Sequence, residues 1–395
     1  MSRSDISRRP KVAIIAASDF ASFPTGGTTT FVRNMIENLD LPLVVVGVDA
    51  EEAMARRTAI TVGSRSLPYV SLGVVDAKSR LPRRVRVAAR AWQARRAVAG
   101  MDVDVLYVHS PEIVLALGAQ KLPLVYHMHG ASTDTTYSPH RLFRNPFGSW
   151  VFRGMVDEVA RRSRGVLGVN EECRAYAERV AAHFRLVPTC VDTRLFKPAE
   201  RIPDGELRLG YVGRLDRVKA IPLIIDVLAE LTRVGVQARL TIAGDGPVLA
   251  DLKAYAGSRD MGGRVEFVGR VERKDLPSLL ARLDVFMMAS LFEGLPTAML
   301  EAMACGAVVV APSLPGIEAV LSDGVNGLVY VEREAANIAS RILRMRGGFP
   351  ELSAAAVRTV EPSYSAITVA NVVAEELMRV SHGQELRSVA GDVGR

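Results

Sequence analysis

The stretch FEGLPTAMLEAMACG, Phe292 to Gly306, decides how this chain is read. It carries two glutamates, Glu293 and Glu301, with seven residues between them. Glu293 lies in a segment broken by Gly294 and Pro296, and Glu301 lies in an apolar run of good helix formers. Pro296 suits a first helical turn, where its missing N–H costs nothing. Gly306 is a natural left-handed terminator. The pattern predicts a helix that starts near Pro296, with Glu293 just before it and Glu301 in its second turn. The free N–H groups and positive dipole end at its start make an anion site. Two acceptor-only carboxylates beside an anion site suit a ligand with both phosphates and vicinal hydroxyls, which is the chemistry of a nucleotide sugar. A capping glutamate followed by an ordinary helix glutamate would need no ligand.

Upstream, LRLGYVGRLDRVKAIPLIIDVL reads as a strand ending at Val212, a turn at Gly213, and a helix. Arg214 and Lys219 stand between strand and helix and form a candidate diphosphate clamp, Arg gripping bidentately and Lys acting as a point charge. Basic residues near helix starts are also often merely solvated. TIAGDGPVLADL repeats the strand, glycine turn and helix, without the full dinucleotide-binding spacing.

In the first half, Gly26-Gly27 precede a helix and would let a ligand approach backbone amides, although Thr28 to Thr30 could simply cap it. LVYHMHG ends a strand with His127 and His129 on one side. No third ligand is spaced nearby, so a hydrogen-bonding histidine is preferred to a metal site. Asp19 and His109 also follow strand ends and read as loop caps.

Along the 395 residues, short β-branched runs alternate with amphipathic segments, the rhythm of parallel sheets covered by helices on both faces. Strand candidates are 12–16, 43–48, 105–108, 124–127, 165–169, 207–212, 238–243, 265–268, 285–289 and 308–311. The rhythm breaks at FKPAERIPDGE, residues 196–206, which reads as a linker. Four segments follow: 1–198, 199–362, a returning helix in 363–382, and a loose tail in 383–395. Hydrophobic residues are 49% and charged residues 24%, a globular composition. No apolar run approaches the roughly 18 residues of a membrane span. The N-terminal basic and apolar residues lack a cleavage pattern, and three cysteines, an odd number, argue against a disulfide framework; a cytoplasmic location is expected.

The net charge is +7, and RLPRRVRVAARAWQARR, Arg80 to Arg96, contains no acid. Val85, Ala88, Ala89 and Trp92 fall at helical spacing, which predicts an apolar stripe with arginines around it. A solvated face packed on the domain is the plain reading, and attraction to an anionic membrane surface the sharper one. Phe143, Phe147, Trp150 and Phe152, interleaved with Arg144 and Arg153, add to that hint, with a buried interdomain or core segment as the competing reading. No nucleic-acid motif accompanies the charge.

Taken together, these residues resemble the GT-B glycosyltransferases of the family 4 type. Glu293 to Pro296 with Glu301 to Gly306 match that family's E-x7-E element, followed by Val308 to Ala311 and Pro315-Gly316-Ile317-Glu318. Arg214 and Lys219 match its clamp, Gly26-Gly27 its glycine loop, and His129-Gly130 its cleft histidine. Phe267 to Gly269 and Gly324 to Leu328 also fit. The resemblance implies two facing Rossmann-like, doubly wound α/β domains with a cleft between them. It implies a retaining transfer of sugar from a nucleotide diphospho-sugar to a glycan, lipid-linked or small-molecule acceptor, with no cofactor and no metal. It places Glu301 on the ribose, Glu293 with Gly294, Leu295 and Pro296 on the donor sugar and phosphates, Arg214 and Lys219 on the leaving diphosphate, the amides of Gly26 and Gly27 on a phosphate, Val271 by the base, and His129 at the reacting centre. Two departures stand out: Pro188-Thr189-Cys190 before Val191-Asp192, and Ala220 where the family usually has glycine. A sugar-nucleotide epimerase or an inactive binding subunit remain alternatives on the same architecture.

Overall fold

The computed structural model describes residues 9–20, 26–51, 56–75, 83–117, 122–130, 146–180, 182–199 and 205–386. They divide into two compact units, Met1–Thr189 with Ala366–Arg395, and Cys190–Ser365. The division precedes the proline-rich stretch read as a linker. Val191 N donates to Tyr364 O at 2.9 Å, and Phe196 is buried with Leu280, Met299 and Leu300, so these residues already belong to the second core.

The first unit holds an eight-stranded sheet: β1 (Val12–Ile15), β2 (Leu43–Asp49), β3 (Ala59–Val62), β4 (Arg65–Val74), β5 (Val105–Val108), β6 (Leu124–Met128), β7 (Gly165–Gly168) and β8 (Phe184–Leu186), in the order β3-β4-β2-β1-β5-β6-β7-β8. Every pairing is parallel except β3 with β4. Strands β1, β5 and β6 are buried along their whole length, as expected of a parallel sheet covered on both faces. Helix Gly27–Asn38 turns Phe31, Val32, Met35 and Ile36 inward. Helix Ala366–Ser381 belongs to this unit and buries Val369, Ala370, Val373, Leu377 and Val380.

The arginine-rich helix, Arg83–Ala99, corrects one expectation. Its core side is Val87, Ala91 and Val98, whereas Val85 and Trp92 are 44% and 57% exposed. The true stripe also follows helical spacing, and small alanines on every side blur the contrast between the two choices. Among the described residues no helix is long and apolar enough to cross a membrane.

The second unit holds β9 (Leu207–Val212), β10 (Ala238–Ala243), β11 (Val265–Gly269), β12 (Val285–Met287), β13 (Val308–Pro312) and β14 (Leu328–Tyr330), all parallel, in the order β11-β10-β9-β12-β13-β14. Helix Pro222–Arg233 seals one face with Ile224, Ile225, Val227, Leu228 and Leu231, each worth about 1.5–3 kcal/mol of burial. Chain order reverses between β9 and β12. Ligands of doubly wound sheets bind at that switch point, outside the carboxyl ends of the strands.

Candidate active site

The turns leaving β9 and β12 carry the predicted clamp and the first glutamate, and the structure brings them together. Residues Arg217–Lys219 form a single 3₁₀ turn whose N-cap, Asp216, accepts from Lys219 N at 3.2 Å. Asp216 also pairs with the Arg214 guanidinium. Lys219 Nζ donates to Glu293 Oε1 at 2.6 Å, and Ser290 Oγ donates to the same oxygen at 2.6 Å. Leu291 N donates to Val218 O at 2.8 Å and ties the two loops at the backbone. Ala220 closes the turn in the left-handed region, at φ 45° and ψ 40°. A glycine would take that conformation without strain.

Glu301 sits one element further on. Helix Thr297–Ala304 follows an extended Pro296, one residue later than the sequence predicts, and ends with Gly306 at φ 76°. Pro296 offers no side-chain cap, and Thr297 Oγ1 is buried with no hydrogen-bond partner, so polar capacity at this helix start is unspent. Glu301 is buried, and burial pushes its carboxyl up to about 7 against the pull of Arg273. Arg273 Nη1 lies 4.0 Å from Glu301 Oε1, which sets the loop of Val271, between β11 and Arg273, beside that carboxylate.

Close backbone contacts hold these loops. A Cβ on Gly316 would stand 1.4 Å from Gly294 O, so the Pro315-Gly316 turn fits only a glycine against the Glu293-Gly294 segment. A Cβ on Gly244, at φ 145°, would stand 1.8 Å from Gly213 O, so the turn after β10 packs directly on the turn before Arg214. The Gly324 to Leu328 segment is structural: Asn326 is buried and bonds Val320 O, Thr359 and Ser322 N.

Gly26, Gly27 and His129 lie in the first unit. Gly26 precedes helix Gly27–Asn38 with no side-chain cap, and a Cβ there would meet nothing within 4 Å. The parallel pairing of β5 with β6 brings His109, for which the sequence allowed a loop cap, beside His127 in β6 and His129 just past its end. His109 Nδ1 lies 2.9 Å from His129 Nε2, and His127 Nδ1 lies 2.6 Å from Tyr107 Oη. The rings of His127 and His129 stack at 4.8 Å, with Phe31 5.1 Å from His129. Burial pulls His129 down to about 3 and also lowers His109 and His127 well below the usual imidazole range, so the three rings are neutral hydrogen-bonding groups at neutral pH. Among the described residues no group of three or more His, Cys, Asp or Glu is placed to hold a metal ion.

Sequence reasoning missed Ser290, Asp216 and Arg273. Asp216 and Ser290 had a local signal, each a short polar residue three before its partner, Lys219 and Glu293, whereas Arg273 reaches Glu301 only through tertiary folding.

Two family models match, one per half of the chain: Glycosyltransferase Family 4 over residues 25–195 and Glycosyl transferases group 1 over residues 192–346. The chain belongs to the group 1, family 4 type GT-B glycosyltransferases. Among proteins of this type, it is 27% identical over 244 residues to the alpha-D-kanosaminyltransferase of Streptomyces kanamyceticus, a match covering 57% of this chain and 61% of that protein. It is 28% identical over 378 residues to the phosphatidyl-myo-inositol mannosyltransferase of Mycobacterium tuberculosis, covering 90% of this chain and 92% of that one. The chain thus spans about three fifths of the first relative and nearly all of the second. Its GT-B fold is shared with Anabaena HepE, solved in complex with UDP and glucose, at a TM-score of 0.72 and 18% identity, over 93% of this chain and 98% of that one.

Proposed function

We propose that this GT-B chain is a retaining glycosyltransferase that moves a sugar from a nucleotide diphospho-sugar to an acceptor hydroxyl without a required metal. The observation that carries the reading is the convergence of Lys219 and Glu293 on one 2.6 Å contact at the strand-order switch point, with Arg214 on the same turn. Glycosyl transfer builds negative charge on a departing diphosphate and positive charge at the anomeric carbon. Arg214, Lys219 and the start of helix Thr297–Ala304 oppose the first, and a carboxylate at Glu293 suits the hydroxyls of the transferred sugar. These groups stabilise the transition state more than the bound donor, which is what accelerates transfer. Cations in this role do the work a divalent ion does in metal-dependent enzymes. By motif position Glu301 grips the ribose, Val271 meets the base, Gly294, Leu295 and Pro296 line the donor, Gly26 and Gly27 present amides to phosphate, and His129 acts at the reacting centre as a neutral ring.

The acceptor side fits a lipid-linked or glycan hydroxyl in surface polysaccharide or glycolipid assembly. The mannosyltransferase relative bears a phosphatidyl-myo-inositol name, and the exposed Trp92 sits among arginines, with Arg95 4.0 Å from its ring centroid. The test is a thermal-shift screen with UDP, GDP, ADP and dTDP, followed by turnover of the matching nucleotide sugars on lipid and soluble acceptors. One nucleoside diphosphate should raise the Tm by mass action, and its sugar conjugates should be consumed with retention of anomeric configuration. No nucleotide response and no transfer would refute the reading, and consumption of donor without acceptor would point to an epimerase.

A further inference from the structure

Past the end of β12 the backbone runs through Met288, Ala289 and Ser290 to Glu293, and three successive carbonyls there are met by two side chains from the end of β14. Tyr330 Oη donates to Met288 O at 2.8 Å. The two terminal nitrogens of Arg333 donate to Ala289 O and, at 3.2 Å, to Ser290 O. Ser290 in turn donates through Oγ to Glu293 Oε1, the oxygen that also receives Lys219. Tyr330 is buried and Arg333 exposed. A planar guanidinium spans two adjacent carbonyls with a fixed fork, which a lysine ammonium cannot reproduce. The arrangement reaches the predicted donor contacts through Ser290 and Glu293.

We propose that Tyr330 and Arg333 are positioning residues, a clasp that fixes the 288–290 backbone and so sets the Glu293 carboxylate for sugar transfer. The inference rests on the transferase reading above. A purely stabilising role would lower the melting temperature and leave turnover of the folded protein unchanged. A positioning role lowers kcat in a protein that stays folded, because misplacement of about 1 Å at a reacting centre costs on the order of a hundredfold. Arg333 also borders an open cavity of about 410 Å³, with Asp216, Arg217 and Ala220 on its wall, which gives a small guanidinium ion access to the site.

The experiment compares Arg333→Lys, Arg333→Ala and Tyr330→Phe with the full wild-type chain on the donor that it turns over. Both Arg333 variants are expected to lose kcat by about 10- to 100-fold with little change in donor KM, and added methylguanidine should restore turnover to Arg333→Ala alone. Tyr330→Phe should lose less, since one carbonyl is freed instead of two. Wild-type kcat in Arg333→Lys, or a loss in Arg333→Ala that follows the melting temperature and is not rescued, overturns the inference. If the wild-type chain turns over no donor, the transferase reading fails, and the clasp is then judged by amide hydrogen exchange. Faster exchange across 291–293 in Arg333→Ala supports it, and unchanged exchange overturns it.

Discussion

Lys219 Nζ and Glu293 Oε1 lie 2.6 Å apart across 74 residues of chain, so the cation of one loop and the carboxylate of another form a single unit. Their side chains are 25% and 11% exposed, which protects the pair from full solvent screening. Lys219→Ala should lower kcat by about 10²–10³ while the fold persists. Glu293→Gln should also lower it, and the double variant should lose less than the product of the two single losses, because each change already disables the same unit. Steady-state kinetics on the four proteins measures this. Independent, multiplicative losses would show that the two residues act separately.

Glu301 sets a pH dependence. Its carboxyl is raised from 4.5 to about 7 by burial, so the folded chain holds the proton more tightly than the unfolded chain does. The stability this gives is complete below the unfolded value and lost as the pH climbs through about 7, amounting to about 3 kcal/mol for the full shift. Glu301→Gln removes the titration. Calorimetry of nucleotide-free protein between about pH 5 and pH 8 should show wild type losing stability relative to Glu301→Gln as the pH rises. A constant difference would contradict the assignment.

Ala220 occupies the left-handed region at a site where a glycine would be unstrained. Relief of about 1–2 kcal/mol, partly offset by glycine's greater chain entropy, gives Ala220→Gly a net gain of up to about 1 kcal/mol and a Tm rise of about 2–4 °C. A thermal melt reads it directly, and a lower Tm would mean that the methyl group contributes more by packing than its backbone strain costs.

Both tryptophans of the chain, Trp92 and Trp150, are exposed, at 57% and 66%. If the arginine-rich helix meets anionic lipid, their emission should shift to the blue on vesicles rich in phosphatidylglycerol at low salt, and return when salt screens the charge. Emission that ignores the vesicles would remove the membrane from the account.

How far the sequence carries depends on the range of the contacts. The strand positions from Val12 to Pro312 and the start of helix Thr297–Ala304 follow from local alternation and a proline, and were legible to within a residue or two. The hairpin of β3 and β4 was missed, since Pro68 within the run disguises an edge pairing. The short strands β8 and β14, three residues each, carry too little pattern to be seen. In the site, the two glutamates and the two cations announce themselves by spacing. Their pairing does not, because Lys219 meets Glu293 only after β9 and β12 become neighbours. The His109 to His129 contact likewise depends on which strands lie side by side, and the clasp of Tyr330 and Arg333 on carbonyls 288–290 leaves no trace in composition, since backbone acceptors are the same in every residue.

The most direct measurement is a crystal structure of the chain with the nucleoside diphosphate that stabilises it most. The account predicts diphosphate oxygens within about 3 Å of Arg214 and Lys219, and ribose hydroxyls on the carboxylate of Glu301. A nucleotide bound away from these three side chains would contradict it.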